Sequence, residues 1–328
     1  MSNPARPRIR WIDLLRGACV CVVLIDHTQD RYAGLRLVPY EMYVTNAMLT
    51  FVFLSGYLFY KPEPRPIGQR LKTIARGLLL PYFIFTIVMA LPKLLAYGES
   101  FTWTVPVGIL GGYASWFVAA LAVSQVLFAL LIHWAGQHHD GIVAIAGTIA
   151  YIAALLLARG PQPLPWQADD ALLFVSVLAV GYLFRKHETR LAVLERLNVW
   201  LVALTLLLAL KVAEWRAGFS ACIWNLGTNA PLVLAVDVLL GFAVLVPAAK
   251  WIGHGRFFEW IGRRSIVFYF LNGGATLLVS RILLRAGLPY DGQLLYLLFA
   301  FLLVLAFCCL CAWIVFRFFP WAVGKRAA

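Results

Sequence analysis

Chemistry is first visible in this chain at two ionisable residues inside an apolar run, Arg16 and His27. They lie in RIRWIDLLRGACVCVVLIDH, residues 8–27. An arginine is a permanent cation with a planar fork of donors, and a histidine is the side chain whose proton moves near neutral pH. Eleven residues separate the two, which is three helical turns plus about 20°, so both side chains share one face. At ~1.5 Å per residue they stand roughly 16 Å apart along the axis, about half the hydrocarbon thickness of a bilayer. Asp13 is three residues before Arg16, within reach of a pair on the same helix. Asp26 and Asp30 flank His27. Charged groups in hydrocarbon cost several kcal/mol each and persist where they face a protein interior or a polar cavity. One helix therefore offers a fixed cation toward one leaflet and a titratable base toward the other. On residue types alone this suits proton-transfer catalysis at a membrane or a proton relay in a small-metabolite transporter. A blander reading, charged caps on an ordinary span, conflicts with Arg16 lying too far into the apolar run to snorkel.

The elements that must position these groups are membrane helices. The 328 residues are 62% hydrophobic and only 13% charged, with mean hydropathy +0.82. A soluble globular chain is near 25% charged, so the sequence reads as an integral membrane protein. A cleaved leader is not expected, because the basic start MSNPARPRIR runs straight into the first span without a small-residue cleavage site. The net charge of +13 places basic loops at the cytoplasmic face and does not call for nucleic acid. The six cysteines sit in apolar segments without metal-ligand spacing to histidine, so no metal is expected.

Hydropathy and charge boundaries predict ten spans, at 9–27, 42–60, 74–97, 113–134, 141–158, 169–184, 198–215, 228–249, 259–280 and 293–316, in one all-α domain over 1–328. With the N-terminus cytoplasmic, the inner segments carry 19 Lys and Arg and the outer segments 8, which supports both termini inside. His27 is then toward the outer leaflet and Arg16 near the inner one. Loops are short, so any chemistry is intramembrane or interfacial. The loop RGPQPLPWQADD combines Trp166 with Asp169 and Asp170, a combination that suits a sugar or a plain interfacial turn.

Four further features accompany the first stretch. LTFVFLSGYLFYKP, residues 49–62, carries Ser55 and Gly56, small residues suited to close helix packing. A basic cluster follows, Lys61, Arg65, Arg70, Lys72 and Arg76, ahead of Pro81-Tyr82. It is an orientation signal or a polyanion site, since Arg and Lys suit phosphate oxygens. Trp116-Phe117-Val118 opens the fourth span. WIGRRSIVFYFLNGG, residues 260–274, carries Arg263, Arg264, Tyr269 and Asn272.

In this order the stretches resemble the acyltransferase-3 family of integral membrane acyltransferases, and most closely its fucose 4-O-acetylase-like branch. The family's opening W/L-D-x-x-[RK]-G corresponds to Trp11-Ile12-Asp13-Leu14-Leu15-Arg16-Gly17, with ten residues between Arg16 and the span-ending His27. Its F-F-x-x-S-G-Y corresponds to Phe51-Val52-Phe53-Leu54-Ser55-Gly56-Tyr57, and its I-G-x-x-S-x-x-x-Y to Ile261-Gly262-Arg263-Arg264-Ser265 with Tyr269. The chain departs from the pattern at Asn272, where the family usually has histidine, and in its basic spacing, which is not R-x-x-R.

The resemblance implies a membrane O-acyltransferase of the cell inner membrane. Its acyl-CoA co-substrate, acetyl-CoA in the most similar branch, would be held through its phosphates by Arg70, Lys72 and Arg76. Arg16 would hold the pantetheine end or the thioester oxyanion, with Asp13 beside it. His27 would be the general base or would itself carry the acyl group. Asp26, Asp30, Trp116, Tyr269 and Asn272 would surround a carbohydrate acceptor, part of an exported polysaccharide or its lipid-linked precursor. The competing class remains the transporter with an Asp13/Arg16/His27 relay. Nothing in the sequence sets an oligomeric state.

Overall fold

The computed structural model describes residues 8–63, 65–97, 101–136, 139–157, 163–224 and 226–325. Its helices follow from the hydropathy. Lipid offers no partner to backbone N–H and C=O groups, so a long apolar segment satisfies them within itself. In chain order they are α1 (Arg10–Thr28), α2 (Tyr40–Phe59), α3 (Ile67–Ile74), α4 (Leu80–Tyr97), α5 (Thr104–Leu110), α6 (Trp116–Ala135), α7 (Asp140–Leu157), α8 (Ala168–Lys186), the one-turn α9 (Glu188–Leu191), α10 (Leu197–Ala217), α11 (Pro231–Ile252), α12 (Arg256–Gly262), α13 (Ser265–Arg285) and α14 (Leu294–Phe318). Two short strands, β1 (Ala221–Cys222) and β2 (Gly227–Thr228), pair antiparallel between α10 and α11. Among the described residues nine helical stretches are long and apolar enough to cross a membrane. The charged α1, the first of the ten expected spans, is not among them; the chain is a polytopic all-α membrane bundle. The basic loops mark one end of it, called the inner end below.

Boundaries moved where charge hid a helix. The third span was expected at 74–97. It begins at Ile67, because Pro66 (φ −53°, ψ 138°) pre-sets a helix start, and the amphipathic 67–74 continues through a π-helical turn, Ala75–Leu79, into α4. The expected span 259–280 is divided. Residues 256–262 form α12, a turn at Arg263–Arg264 follows, and the crossing helix is α13. The stretch between α4 and α6 contains α5. The Tyr82 hydroxyl donates to the Ile109 carbonyl at 2.8 Å and the Trp166 N–H to Gly111 at 2.7 Å, docking that segment against the bundle.

The core lies along α2 and α8, with α1, α6, α7, α11 and α13 around them. Gly56 supplies the close approach its sequence setting suggested: a Cβ there would stand 2.2 Å from the Leu178 carbonyl oxygen of α8. The position that matters most for the site is where α12 crosses α1. A Cβ at Gly17 would stand 2.0 Å from the Phe258 carbonyl oxygen, and one at Gly262 1.8 Å from that of Asp13. Only hydrogen fits at either place, and this contact sets the depth of Arg16, the residue before Gly17.

The inner ends are tied by a polar knot. The Tyr57 hydroxyl donates to Glu188 at 2.7 Å and accepts from Arg185 at 2.6 Å. Lys250 reaches Glu188 at 2.6 Å and Glu195 at 2.7 Å, and lies 5.7 Å from the Trp11 ring centre. Toward the outer end, Lys211 of α10 meets Asp237 of α11 at 2.7 Å and Glu214 at 3.2 Å, and donates to the Glu41 carbonyl at 2.9 Å. Asn46 of α2 completes this buried group with a bond to Asp237 at 3.2 Å.

Candidate functional site

Arg16, Val20, Val23 and Leu24 form one stripe along α1, spaced at the helical repeat, and all four line a cavity of about 450 Å³ between α1, α2, α3, α6 and α13. The cavity opens at the inner end, where Lys61, Arg65 and Arg70 line it together with Thr73 and Gln125. Arg70 is steadied by the Phe59 carbonyl at 3.2 Å and by the Phe59 ring, 4.6 Å from the guanidinium carbon. Farther in come Arg16, Ser55, Ser265, Tyr269 and Asn272. The walls beyond are apolar: Met48, Phe51, Phe117, Val118 and Leu121. A cationic mouth, a single deeper cation and an apolar end match an elongated ligand with an anionic head and a less polar tail.

Arg16 is the exceptional member. The expected pair with Asp13 is not made. Asp13 instead accepts two bonds from Arg8, at 2.5 and 3.2 Å. Arg8 reaches it from the extended start of the chain, one and a half turns earlier, so the local i, i+3 partner is outcompeted. Arg16 has no hydrogen-bond or ion-pair partner among the described residues, and its Nε is buried without an acceptor. A buried guanidinium left unpaired is costly, and the structure keeps one facing an open cavity.

His27 is the next member of the same stripe, one turn beyond Val23 and Leu24, and it lies outside the cavity. It is half-buried and makes no hydrogen bond among the described residues, which leaves both ring nitrogens available for proton transfer. Its neighbours are committed. Asp26 is buried and accepts from Arg36 at 2.9 and 3.4 Å and from the Tyr43 hydroxyl at 3.1 Å. Tyr43 in turn accepts from Gln29 at 2.8 Å. Asp30 lies 3.5 Å from Arg31 and 3.7 Å from Arg36. A second π-helical turn, Gln29–Ala33, follows His27, and Gly34 (φ 68°) ends it in the left-handed region.

The structure therefore brings Arg16, Arg70, Tyr269 and Asn272 to one cavity and leaves other expected residues off it. Lys72 and Arg76 are exposed and off the cavity, because the helix that starts after Pro66 puts Lys72 on the face opposite Arg70; Lys61 and Arg65 of the same basic cluster line the mouth. Trp116 packs edge-on to Phe117 and against Phe174. Trp166 packs on Tyr82 and Phe83, with Asp169 accepting from the Leu164 N–H and Asp170 from the Leu226 N–H, so this trio holds a turn together and presents no open sugar platform. Met48, Gln125 and Arg36 carried no signal in the sequence; their positions depend on the partner each helix meets.

Two comparisons with known proteins bear on this geometry. The sequence matches the model of the acyltransferase-3 family, described as an acyltransferase domain, over residues 9–314, which takes in α1 through nearly all of α14. A search of curated proteins returned no match.

Proposed function

The chain belongs to the acyltransferase-3 family, a multi-pass membrane acyltransferase, and from that premise we propose that it moves an acetyl group from cytosolic acetyl-CoA to a sugar hydroxyl, with His27 as general base. The acceptor class is an exported or cell-surface polysaccharide, or its lipid-linked precursor, and the site of action is the cell inner membrane. The observation that carries the donor is the unpaired Arg16, inside a cavity whose mouth holds Lys61, Arg65 and Arg70. Three cations at the opening and a fourth deeper in suit the phosphates of CoA.

The spacing supports a division of labour between the two ends of α1. An extended chain advances roughly 1.2 Å per bond, so the dozen or so bonds of a pantetheine arm span about 15 Å. That matches the ~16 Å rise from Arg16 to His27. With the diphosphate near Arg16, the arm is long enough to carry the thioester to the level of His27 once the way past the cavity's end at Leu24 and Met48 is open. The gap exceeds an extended arginine side chain, so Arg16 serves the phosphate end and not the oxyanion. His27 takes the proton from the acceptor hydroxyl as the oxygen attacks the thioester carbonyl. The tetrahedral intermediate collapses, the C–S bond breaks, and the imidazolium returns the proton to the leaving thiolate. Ester and free CoA are the products. The transporter alternative gives way to family membership, and its relay also lacks the Asp13–Arg16 pair.

Radiolabelled acetyl-CoA supplied to the protein in lipid tests the reading. Consumption by the wild type that is lost in His27→Ala, and that needs far more donor in Arg16→Met, is the expected result. Consumption that survives His27→Ala removes the base from the scheme. An acetyl-histidine trapped with donor alone replaces direct attack by a two-step route.

A further inference from the structure

The cavity stops short of His27, and what stops it is specific. On α1 its lining ends at Leu24, which is 1% exposed. On α2 its far wall is Met48. The two helices run antiparallel, and the Tyr43–Asp26 bond sets their register. Met48 is five residues from Tyr43, so it stands roughly 7–8 Å below the level of Asp26 and His27. From above, Tyr40 reaches down two turns of α2 and places its hydroxyl 3.2 Å from the Met48 sulfur. Tyr40 is half-buried at the outer start of α2, and its ring lies 5.8 Å from the Arg36 guanidinium carbon. Arg36 is the same residue that clamps Asp26, the neighbour of His27. A continuous series of contacts thus runs from the cavity wall to the outer face: Met48, Tyr40, Arg36, Asp26.

We propose that Tyr40, seated on Met48, is the seal between the inner cavity and the outer face, and that it confines a bound thioester until an acceptor displaces it. The structure shows the closed position. The seal's purpose rests on the acyltransferase reading above, because a thioester open to outer water would be hydrolysed without transfer. Its geometry does not rest on that reading. A phenol on a thioether is suited to the task. The contact is weak, the ring is rigid, and methionine adapts its shape when the ring leaves. Tyr40 would act on the outcome of the reaction through access, as a positioning residue, with His27 still moving the proton.

The test reads access directly. V23C, on the cavity wall but outside the Tyr40–Met48 contact, is made in a Cys222→Ser background, because Cys222 is an exposed free thiol, and is reconstituted in sealed vesicles. A membrane-impermeant anionic methanethiosulfonate is applied from one side at a time. From the inner side V23C should react whether or not Tyr40 is present. From the outer side it should react slowly with Tyr40 or Tyr40→Phe, and roughly tenfold faster or more with Tyr40→Ala. Equal outer rates with and without the ring overturn the seal, and so does failure to label from the inner side. A second readout is the ratio of donor hydrolysis to transfer, which should rise in Tyr40→Ala with donor affinity unchanged. If the labelling pattern holds while the wild type turns over no acyl-CoA, the seal stands and the donor assignment falls.

Discussion

Near the inner end of α1, Arg16 has a buried Nε with no acceptor; near the outer end, Asp26 is as deeply placed and takes three hydrogen bonds. Both are charged groups on one helix in the same bilayer. The outer carboxylate is neutralised and held, as are Asp237 and Lys211 nearby. The inner cation is held by backbone packing at Gly17 and left without a hydrogen bond or close ion pair among the described residues. A charge with its partner inside the chain serves the fold, because desolvation is offset by the pair and loss of one partner strands the other. A charge kept unpaired against a cavity is completed by something that comes and goes. This contrast assigns roles more sharply than residue type does.

Four substitutions and one titration would break the contrast or sharpen it. The largest effect is expected at Asp237→Ala, which takes from Lys211 its shortest ion pair and from Asn46 its acceptor, leaving Lys211 with Glu214 and the Glu41 carbonyl, and should lower stability by about 3 kcal/mol, read as early unfolding in detergent. Arg16→Met should behave in the opposite way. Thermal stability is held or raised, while the acetyl-CoA requirement rises roughly 10–100-fold, the worth of a charge-assisted bond. A stability loss at Arg16→Met comparable to that at Asp237→Ala would erase the distinction. Arg65→Ala, at the cavity mouth, should raise the donor requirement by about tenfold or less, as expected for a solvent-screened cation. Lys72→Ala, two residues from Arg70 but off the cavity, should leave it within about twofold. The smallest effect lies in the inner knot, outside the membrane spans. Burial there raises the Glu188 carboxyl, but Lys250, Tyr57 and Arg185 outweigh it and hold it below its ordinary value of 4.5. A depressed carboxyl stabilises the fold above its unfolded pKa and loses that contribution as pH falls through the folded value. The midpoint of wild type should therefore drop below about pH 4.5, and Glu188→Gln should flatten that limb of the profile.

The sequence made the bundle legible because lipid imposes one rule, and hydropathy reports it. Nine of the ten expected spans hold a helix apolar enough to be found by that rule alone. For the other, 9–27, which carries Arg10, Asp13, Arg16 and Asp26, the expectation rests on a mostly apolar run long enough to cross most of a bilayer. Long-range matters were out of reach. Arg8 outcompeting Arg16 for Asp13, Arg36 reaching back to Asp26, and the turn at Arg263–Arg264 that separates α12 from α13 all depend on which helices become neighbours. The expected phosphate residues are divided between the cavity and the surface for a local reason. A helix that starts at Ile67 instead of residue 74 presents Arg70 and Thr73 to the cavity and turns Lys72 outward.

The π-helical turn at Ala75–Leu79 has a consequence for inheritance. It is one surplus residue folded into an otherwise continuous helix from Ile67 to Tyr97. A one-codon deletion inside it would restore ordinary pitch without breaking the helix or changing its hydropathy. Five π-helical residues turn the chain about as far as four α-helical ones, so everything after it would keep its rotation relative to Arg70 and Thr73. Tyr82 would keep the Ile109 carbonyl, and Phe85 the Phe270 ring stacked on it at 5.0 Å. Elsewhere in this helix a lost residue would turn all that follows by about 100°. The π turn is therefore the one place in the segment where a frame-preserving loss of three nucleotides would spare the packing on both sides.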